Sequence, residues 1–415
     1  MKNIAIIGGG IIGLSTAYYL QKAGHTVMVF DKGNMDDTCS IGNAGMVVPS
    51  HIVPLAAPGM IAKGIRWMFN SKSPFYVRPR LNGDLIKWGL KFYAHANEKH
   101  VQRSAPLLKE ISMLSKQLFR EMNSAKEFDF GYQEKGLLML FQTAETEKEE
   151  IEAAHLANHH GVEAHVLTPA DVQALEPDVR VTARGGVIFP GDAHLIPQLL
   201  VSNLVEHLKK NGVKILTHHD VSDFVTGEKS IERITIGDKV LEFDEYVIAT
   251  GAWSGLFCSK LDLDLPMQSG KGYSFTLPNV KKNIQVPTLL LEGRVAVTPM
   301  GNALRFGGTM EINGTDRSVN MNRVKGIVET IPKYYPDMNV AVPDVREVWN
   351  GLRPCSPDGL PYIGRSSRFK NLIIATGHSM MGVSLAPATG KLVSEIVNEK
   401  NLTMNIAAFN PERFN

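Results

Sequence analysis

Gly8, Gly10 and Gly13 stand at G-x-G-x-x-G spacing in "IAIIGGGIIGLSTAYYLQKAGHTVMVFDKG", and Asp31 closes the apolar run that follows. Such glycines have separate duties: a tight turn, backbone approach to a pyrophosphate, and close helix–strand packing. A helix beginning there offers unpaired amides to the phosphate charge, and an acid at Asp31 can accept from ribose hydroxyls. The pattern therefore predicts a dinucleotide site at the start of the chain. Other residues of chemical interest are scattered. His51 and His378 invite an acid–base reading beside a packing one, whereas His159-His160 lies in a polar helical stretch. Cys39, Cys258 and Cys355 form no CxxC pair, so neither a metal site nor a disulfide framework is expected, and the usage fits a reducing, cytoplasmic setting.

The elements that must position this site follow from periodicity. Ile4–Ile7 reads as a buried parallel strand, Leu14, Ala17, Tyr18 and Leu20 continue at helical intervals, Gly24 ends the helix, and Thr26–Phe30 is a second strand. Amphipathic helices are predicted within 60–125, a strand at "GLLMLF", a charged exposed helix over 145–160, and a hairpin around Gly301-Asn302. Two segments, "EYVIATGAWS" and "NLIIATGHSMMG", each run a strand into Ala-Thr-Gly, which places Gly251 and Gly377 where open α/β sheets bind ligands. With 415 residues, two packed domains are expected. A net charge of +2 gives no footprint for nucleic acid. No run of about 18 apolar residues spans a bilayer, and the glycines in the first apolar run exclude a secretory signal. Pieces suited to a cofactor recur at 4–45, 220–253 and 350–385. That scatter favours FAD, held extended across a sheet, over a nicotinamide cofactor in one continuous block.

Over nearly its whole length the chain resembles the FAD-dependent D-amino-acid oxidase superfamily, most closely its D-amino-acid dehydrogenase and glycine-oxidase branches. The resemblance rests on "GGGIIGLSTAYYL", "CSIGNAGMVVPS", "GGVIFPGDAHL", "VIATGAWS", "KGYSF", "WNGLRPCSPDGLPYIG" and "NLIIATGHSMMGVSLAPATGKLVSEI". It implies an α/β fold: a discontinuous Rossmann-like FAD-binding domain of glutathione-reductase type over 1–60, 145–258 and 346–415. A substrate-binding domain of antiparallel sheet plus helices would occupy 61–144 and 259–345. Gly8, Gly10, Ile11, Ile12 and Gly13 would face the pyrophosphate, Asp31 the adenosine ribose and Lys32 the adenine side. Cys39, Ser40, Asn43, Ala44, Gly45 and Met46 would pass the ribityl chain and flavin ring. Val221 would contact adenine through its backbone, with Thr250, Gly251 and Trp253 along the dinucleotide. Gly377, Met380, Met381, Gly382 and Val383 would run beside the pyrimidine edge of the flavin, where methionines replace the cation of the glycine-oxidase branch.

The same resemblance implies the activity: hydride transfer from the α-carbon of an amino acid, D-configured, to flavin N5. The imino acid product hydrolyses to a 2-oxo acid and ammonia. Arg353 of "GLRP" would clamp the substrate carboxylate, since its planar fork binds bidentately. Tyr273 would add a hydroxyl contact; Arg305 and Thr309 read better as ordinary strand surface. In this family the substrate amine is already neutral, so no side-chain base is required. The segment holding a flavin-linking cysteine in sarcosine-oxidase relatives aligns it near Gly351 rather than Cys355, implying non-covalent FAD. Electrons would pass to a quinone or other carrier. The stretch 59–78 could dip into a membrane surface to reach one, or pack as helix and loop over the site. Homo-oligomerisation stays open. So do glycine or sarcosine oxidation, dehydrogenation of D-proline or hydroxyproline-type secondary amines, and a flavin-binding subunit without turnover.

Overall fold

The computed structural model describes residues 1–68, 72–78, 80 and 82–415. Its first 30 residues form the expected unit: strand Asn3–Ile7, helix Ile11–Lys22 and strand Thr26–Phe30, the strands paired in parallel. Ile4, Ala5, Ile6 and Ile7 are all buried. That is why the strand reads as an unbroken apolar run: its two faces serve two cores. Ile4 and Ile6 pack with helices Ile11–Lys22 and Gly382–Val397, and Ala5 and Ile7 pack beneath a three-stranded meander over 221–241. Strand Asn3–Ile7 sits inside a six-stranded sheet in the order 362–365, 372–376, 245–248, 3–7, 26–30, 214–216. The strands Glu245–Ile248 and Leu372–Thr376 that lead into Ala-Thr-Gly are adjacent and parallel, so both ends emerge on the same side.

Helix Gly382–Val397 lies against helix Ile11–Lys22 closely enough that a Cβ on Gly390 would meet the Ser15 carbonyl at 2.5 Å. The long helix Glu98–Ser124 covers it from outside, with the Ser115 hydroxyl donating to the Ser384 carbonyl at 2.6 Å.

A second, nine-stranded sheet runs 349–355, 268–277, 303–312, 295–300, 288–290, 137–141, 185–189, 165–167, with 75–77 also paired to 303–312. It is mostly antiparallel; 288–290 with 137–141, and 75–77 with 303–312, pair in parallel. Its hairpin turns at Gly301-Asn302, where Gly301 takes φ +66°. The sheets divide the chain differently from the bounds at 145, 258 and 346. Strands His165–Leu167, Gly185–Phe189 and Trp349–Cys355 belong to the large sheet. Leu108, Ile111, Leu118 and Phe119 of helix Glu98–Ser124 pack in the nucleotide-side core. The divide is set by long-range pairing, which local periodicity does not carry.

No helix among the described residues is long and apolar enough to cross a membrane. Of the stretch 59–78, Met60–Met68 is helix, Phe75–Val77 pairs with the large sheet, and Phe69, Asn70 and Ser71 lie outside the described residues.

Candidate active site

A cavity of about 550 Å³ runs from the N-terminal glycine loop to the face of the large sheet. Its nucleotide end is built by backbone. Gly8 takes φ +110°, and a Cβ there would sit 2.4 Å from the Ala249 carbonyl. Gly13 lies outside the cavity wall and presses on the Gly8 carbonyl, where a Cβ would reach 1.9 Å, so its duty is helix–strand packing. The helix beginning at Ile11 has no side-chain cap. The Ile11 amide donates to Ser40 Oγ (3.0 Å), while the amides of Gly10, Ile12 and Gly13 reach no protein acceptor among the described residues. Uncapped amides at a glycine-lined helix start suit a pyrophosphate. Asp31 accepts from the Gly9 and Gly33 amides at 2.7 and 2.8 Å and still borders the cavity, with lone pairs left that suit ribose hydroxyls. Lys32 lies 3.8 Å over the Trp253 ring, near Val221, Thr250 and Gly251. These residues fit the adenosine end of FAD.

The loop over 39–46 crosses the middle of the cavity and is pinned from the large sheet. Arg305 donates to the carbonyls of Ile41 (2.8 Å) and Asn43 (2.7 Å), and Ser274 Oγ donates to that of Gly42 (2.8 Å). Arg305 is therefore a buried clamp on the cofactor loop and not strand surface; burial lowers its pKa to about 10, which leaves it charged. Gly42 has no room for a side chain, because the Trp349 ring would lie 1.9 Å from its Cβ. Cys39 Sγ meets the Leu352 carbonyl and amide, both at 3.0 Å. Asn43, Ala44 and Met46 line the cavity, but Gly45 does not: its φ of +73° lets the chain turn beneath Leu195. At the far side Met380, Met381, Gly382 and Val383 enter from the start of helix Gly382–Val397. Gly377 stays out of the cavity; it turns the chain at φ +78° under the Tyr362 ring.

Arg353 projects from strand Trp349–Cys355 into the same cavity. On the neighbouring strand Arg353 pairs with Gly270, and Gly272, two residues on, leaves the space the guanidinium fills: a Cβ there would lie 2.1 Å from Nη1. Nη1 donates to the Thr309 carbonyl at 2.7 Å, and the guanidinium pairs with no carboxylate among the described residues. Burial lowers its pKa, but a guanidinium starts so high that it remains a cation. Thr309 itself takes φ +66°, rare for a β-branched residue, where the pairing of 268–277 with 303–312 slips by one residue. This bulge brings the Thr309 backbone to Arg353, so Thr309 too belongs to the site. Two other arginines reach the cavity: Arg317 is paired with Asp37 (2.6 Å), and Arg294 is exposed.

Tyr273 borders the cavity, but its hydroxyl is committed elsewhere. It donates to Glu311 (2.9 Å), accepts from the Asn320 amide (3.1 Å), and the ring belongs to the core under the large sheet. Being one residue on from Gly272, its side chain points to the opposite face. His378 also lines the cavity with Nε2 tied to Thr389 Oγ1 at 2.9 Å; burial lowers its pKa to about 3, so it stays neutral. His51 borders the cavity and contacts Ser50 Oγ through Nδ1 at 3.2 Å. Met60, Pro74 and Phe75 form part of the wall, so these described residues of the stretch 59–78 border the site.

The FAD dependent oxidoreductase family profile matches residues 3–396. The chain is 33% identical over 410 residues to a D-amino acid dehydrogenase of Neisseria meningitidis, covering 96% of each protein. It is 30% identical over 406 residues to a D-amino acid dehydrogenase of Helicobacter pylori, covering 96% of this chain and 97% of that one. Among solved structures, glycine oxidase from Geobacillus kaustophilus superposes with a TM-score of 0.79 at 24% identity, covering 100% and 99% of the two chains. L-proline dehydrogenase from P. horikoshii superposes with a TM-score of 0.76 at 20% identity, covering 99% and 97%. The fold is that of these solved structures, and the chain belongs to the FAD-dependent oxidoreductase family.

Proposed function

We propose that this protein is a dehydrogenase of D-amino acids, holding the substrate carboxylate on Arg353 and passing electrons to a quinone or similar carrier. The observation that carries the reading is the Arg353 guanidinium. It is a cation without a carboxylate partner among the described residues, held in a cavity continuous with the dinucleotide cradle. A free carboxylate answers that geometry with two parallel charge-assisted hydrogen bonds. FAD supplies, when bound, the hydride acceptor for the substrate α-carbon. The chain's own part is to fix the carboxylate, exclude water and set the α-carbon in line, which is where most of the rate arises when the cofactor carries the chemistry. The D configuration and the carrier acceptor are supported by the two dehydrogenase relatives at 30% identity or more. Non-covalent FAD is supported at Cys355, whose thiol is buried and pushed up to about 11, and by glycine at position 351. The test is anaerobic flavin bleaching by D-alanine, L-alanine and ethylamine, followed by turnover with a quinone analogue and with oxygen. Bleaching by the D-amino acid alone, with turnover favouring the quinone, is expected. Equal bleaching by the amine without a carboxylate would overturn the clamp, and rapid peroxide formation in air would overturn the carrier.

A further inference from the structure

We propose that Arg305 polarises two peptide groups of the loop over 39–46, so that the Gly42 and Ala44 amides hold the negative charge the flavin ring gains on reduction. The inference rests on FAD lying across this loop, and not on which amine the enzyme oxidises. Arg305 is 4% exposed on strand Ala303–Ile312. Its Nη1 donates to the Ile41 carbonyl at 2.8 Å and to the Asn43 carbonyl at 2.7 Å. In a planar trans peptide the N–H runs antiparallel to the C=O. The Gly42 amide on one peptide and the Ala44 amide on the other therefore point away from Arg305. Neither reaches a protein acceptor among the described residues. The amides between them are spent: Ile41 donates to the Thr38 carbonyl (3.3 Å) and Asn43 to the Ser40 carbonyl (3.2 Å). Gly42 and Ala44 both line the cavity, so its wall presents two free donors backed by one cation.

A cation is more than a clamp requires. Ser274 Oγ holds the intervening Gly42 carbonyl at 2.8 Å with a neutral hydroxyl. The flanking strands bring only Thr276 and Thr298 opposite Arg305, and no described carboxylate pairs with it. Burial is what lowers its pKa to about 10, so it stays charged. A buried cation resting on dipoles alone is costly, and the counter-charge it lacks is one the reaction supplies. Hydride transfer brings two electrons and one proton to the ring, so a ring that takes up no second proton becomes an anion. Donors fixed beforehand stabilise such a charge without reorganising. Gly42 is fixed in this way, packed so tightly that a Cβ would lie 1.9 Å from the Trp349 ring.

The test is the two-electron midpoint potential of the FAD-loaded protein, read by dye-coupled chemical reduction from pH 6 to 9. It compares the parent with Arg305→Gln, Arg305→Lys and Ser274→Ala. One proton per two electrons gives about 30 mV per pH unit, and two protons give about 60 mV. The parent should show the smaller slope. Arg305→Gln, neutral but still a donor, should disfavour the reduced ring about tenfold or more, a fall of about 30 mV or more at pH 8, with the larger slope near pH 6. Ser274→Ala, which frees a carbonyl of the same loop without touching a charge, should match the parent. Arg305→Lys acts as a switch: lysine's ordinary value lies about two below arginine's, so the same burial brings it to about 8. Its potential should follow the parent's in acid and fall away from it above that pH. A parent slope of about 60 mV throughout, or Arg305→Gln potentials equal to the parent's, would overturn the proposal. So would an equal fall in Ser274→Ala, which would make the effect one of loop position. If Arg305→Gln holds no FAD, the lysine variant decides, and a gap to the parent that does not change with pH overturns the proposal. Because the reductant is chemical and not an amino acid, the D-amino-acid reading stands or falls on its own test.

Discussion

Replacing Arg353 with alanine removes the fork while leaving the cradle untouched. The guanidinium is partly buried, has a single protein hydrogen bond, to the Thr309 carbonyl, and has no carboxylate partner among the described residues. Truncating one member of a desolvated charge pair costs about 2–5 kcal/mol, much of it from the partner left unpaired. At about 1.4 kcal/mol per decade, the flavin-reduction rate constant per unit D-alanine should fall roughly 30- to 5,000-fold. FAD content should stay near one per chain, because no cradle residue loses a contact, and stability should fall by about 1–3 kcal/mol at most, from the orphaned Thr309 carbonyl. Arg353→Lys should recover only part of the rate, since lysine restores charge without the planar fork. The assay is anaerobic stopped-flow at several D-alanine concentrations. A variant reduced as fast as the parent at every concentration would refute the clamp, and one devoid of FAD would show that Arg353 serves the fold.

Gly272→Val should cost activity almost as heavily, because its side chain would occupy the Arg353 position; wild-type rates with full FAD content would contradict this packing. The Asp358–Arg413 pair (2.7 and 2.9 Å) ties the C-terminal segment down. Burial pushes the Asp358 pKa up, but Arg413, the Leu360 amide and His95 together outweigh it and the net shift is downward. A depressed carboxyl stabilises above its unfolded value, near pH 4, and loses that contribution as pH falls through its folded value. Asp358→Asn should therefore lower unfolding free energy by about 3 kcal/mol at pH 7, the gap to the parent closing in acid; a gap independent of pH would refute the assignment. Burial raises the pKa of all three thiols, to about 12 at Cys258 and about 11 at Cys355. The native protein should resist iodoacetamide at pH 8 until denatured, and rapid native labelling of Cys258 or Cys355 would contradict their burial.

The dinucleotide end was legible because everything it needs is local: strand, glycine turn, uncapped helix and acid follow one another within one βαβ unit. Arg353 was reachable only through the resemblance, since nothing in "GLRP" says which face of the strand it occupies. What escaped depends on partners distant in the chain. Gly272 clears Arg353 across a strand pair, Arg305 clamps a loop 262 and 264 residues away, and the Thr309 bulge is a mismatch between two strands. Tyr273 was misassigned for a related reason: alternation turns it away from the face Gly272 shares with Arg353. Gly45 and Gly377 sit in the right loops, yet serve turns behind the cavity wall.

The central claim is that one cavity sets a substrate carboxylate on Arg353 beside the flavin. A crystal structure of the FAD-loaded protein with 2-methylalanine bound tests it most directly. The account predicts the carboxylate on the Arg353 fork at about 2.7–3.1 Å, with the quaternary carbon facing flavin N5. A carboxylate on Arg294 or Arg317 instead, with Arg353 still bound only to Thr309, would contradict it.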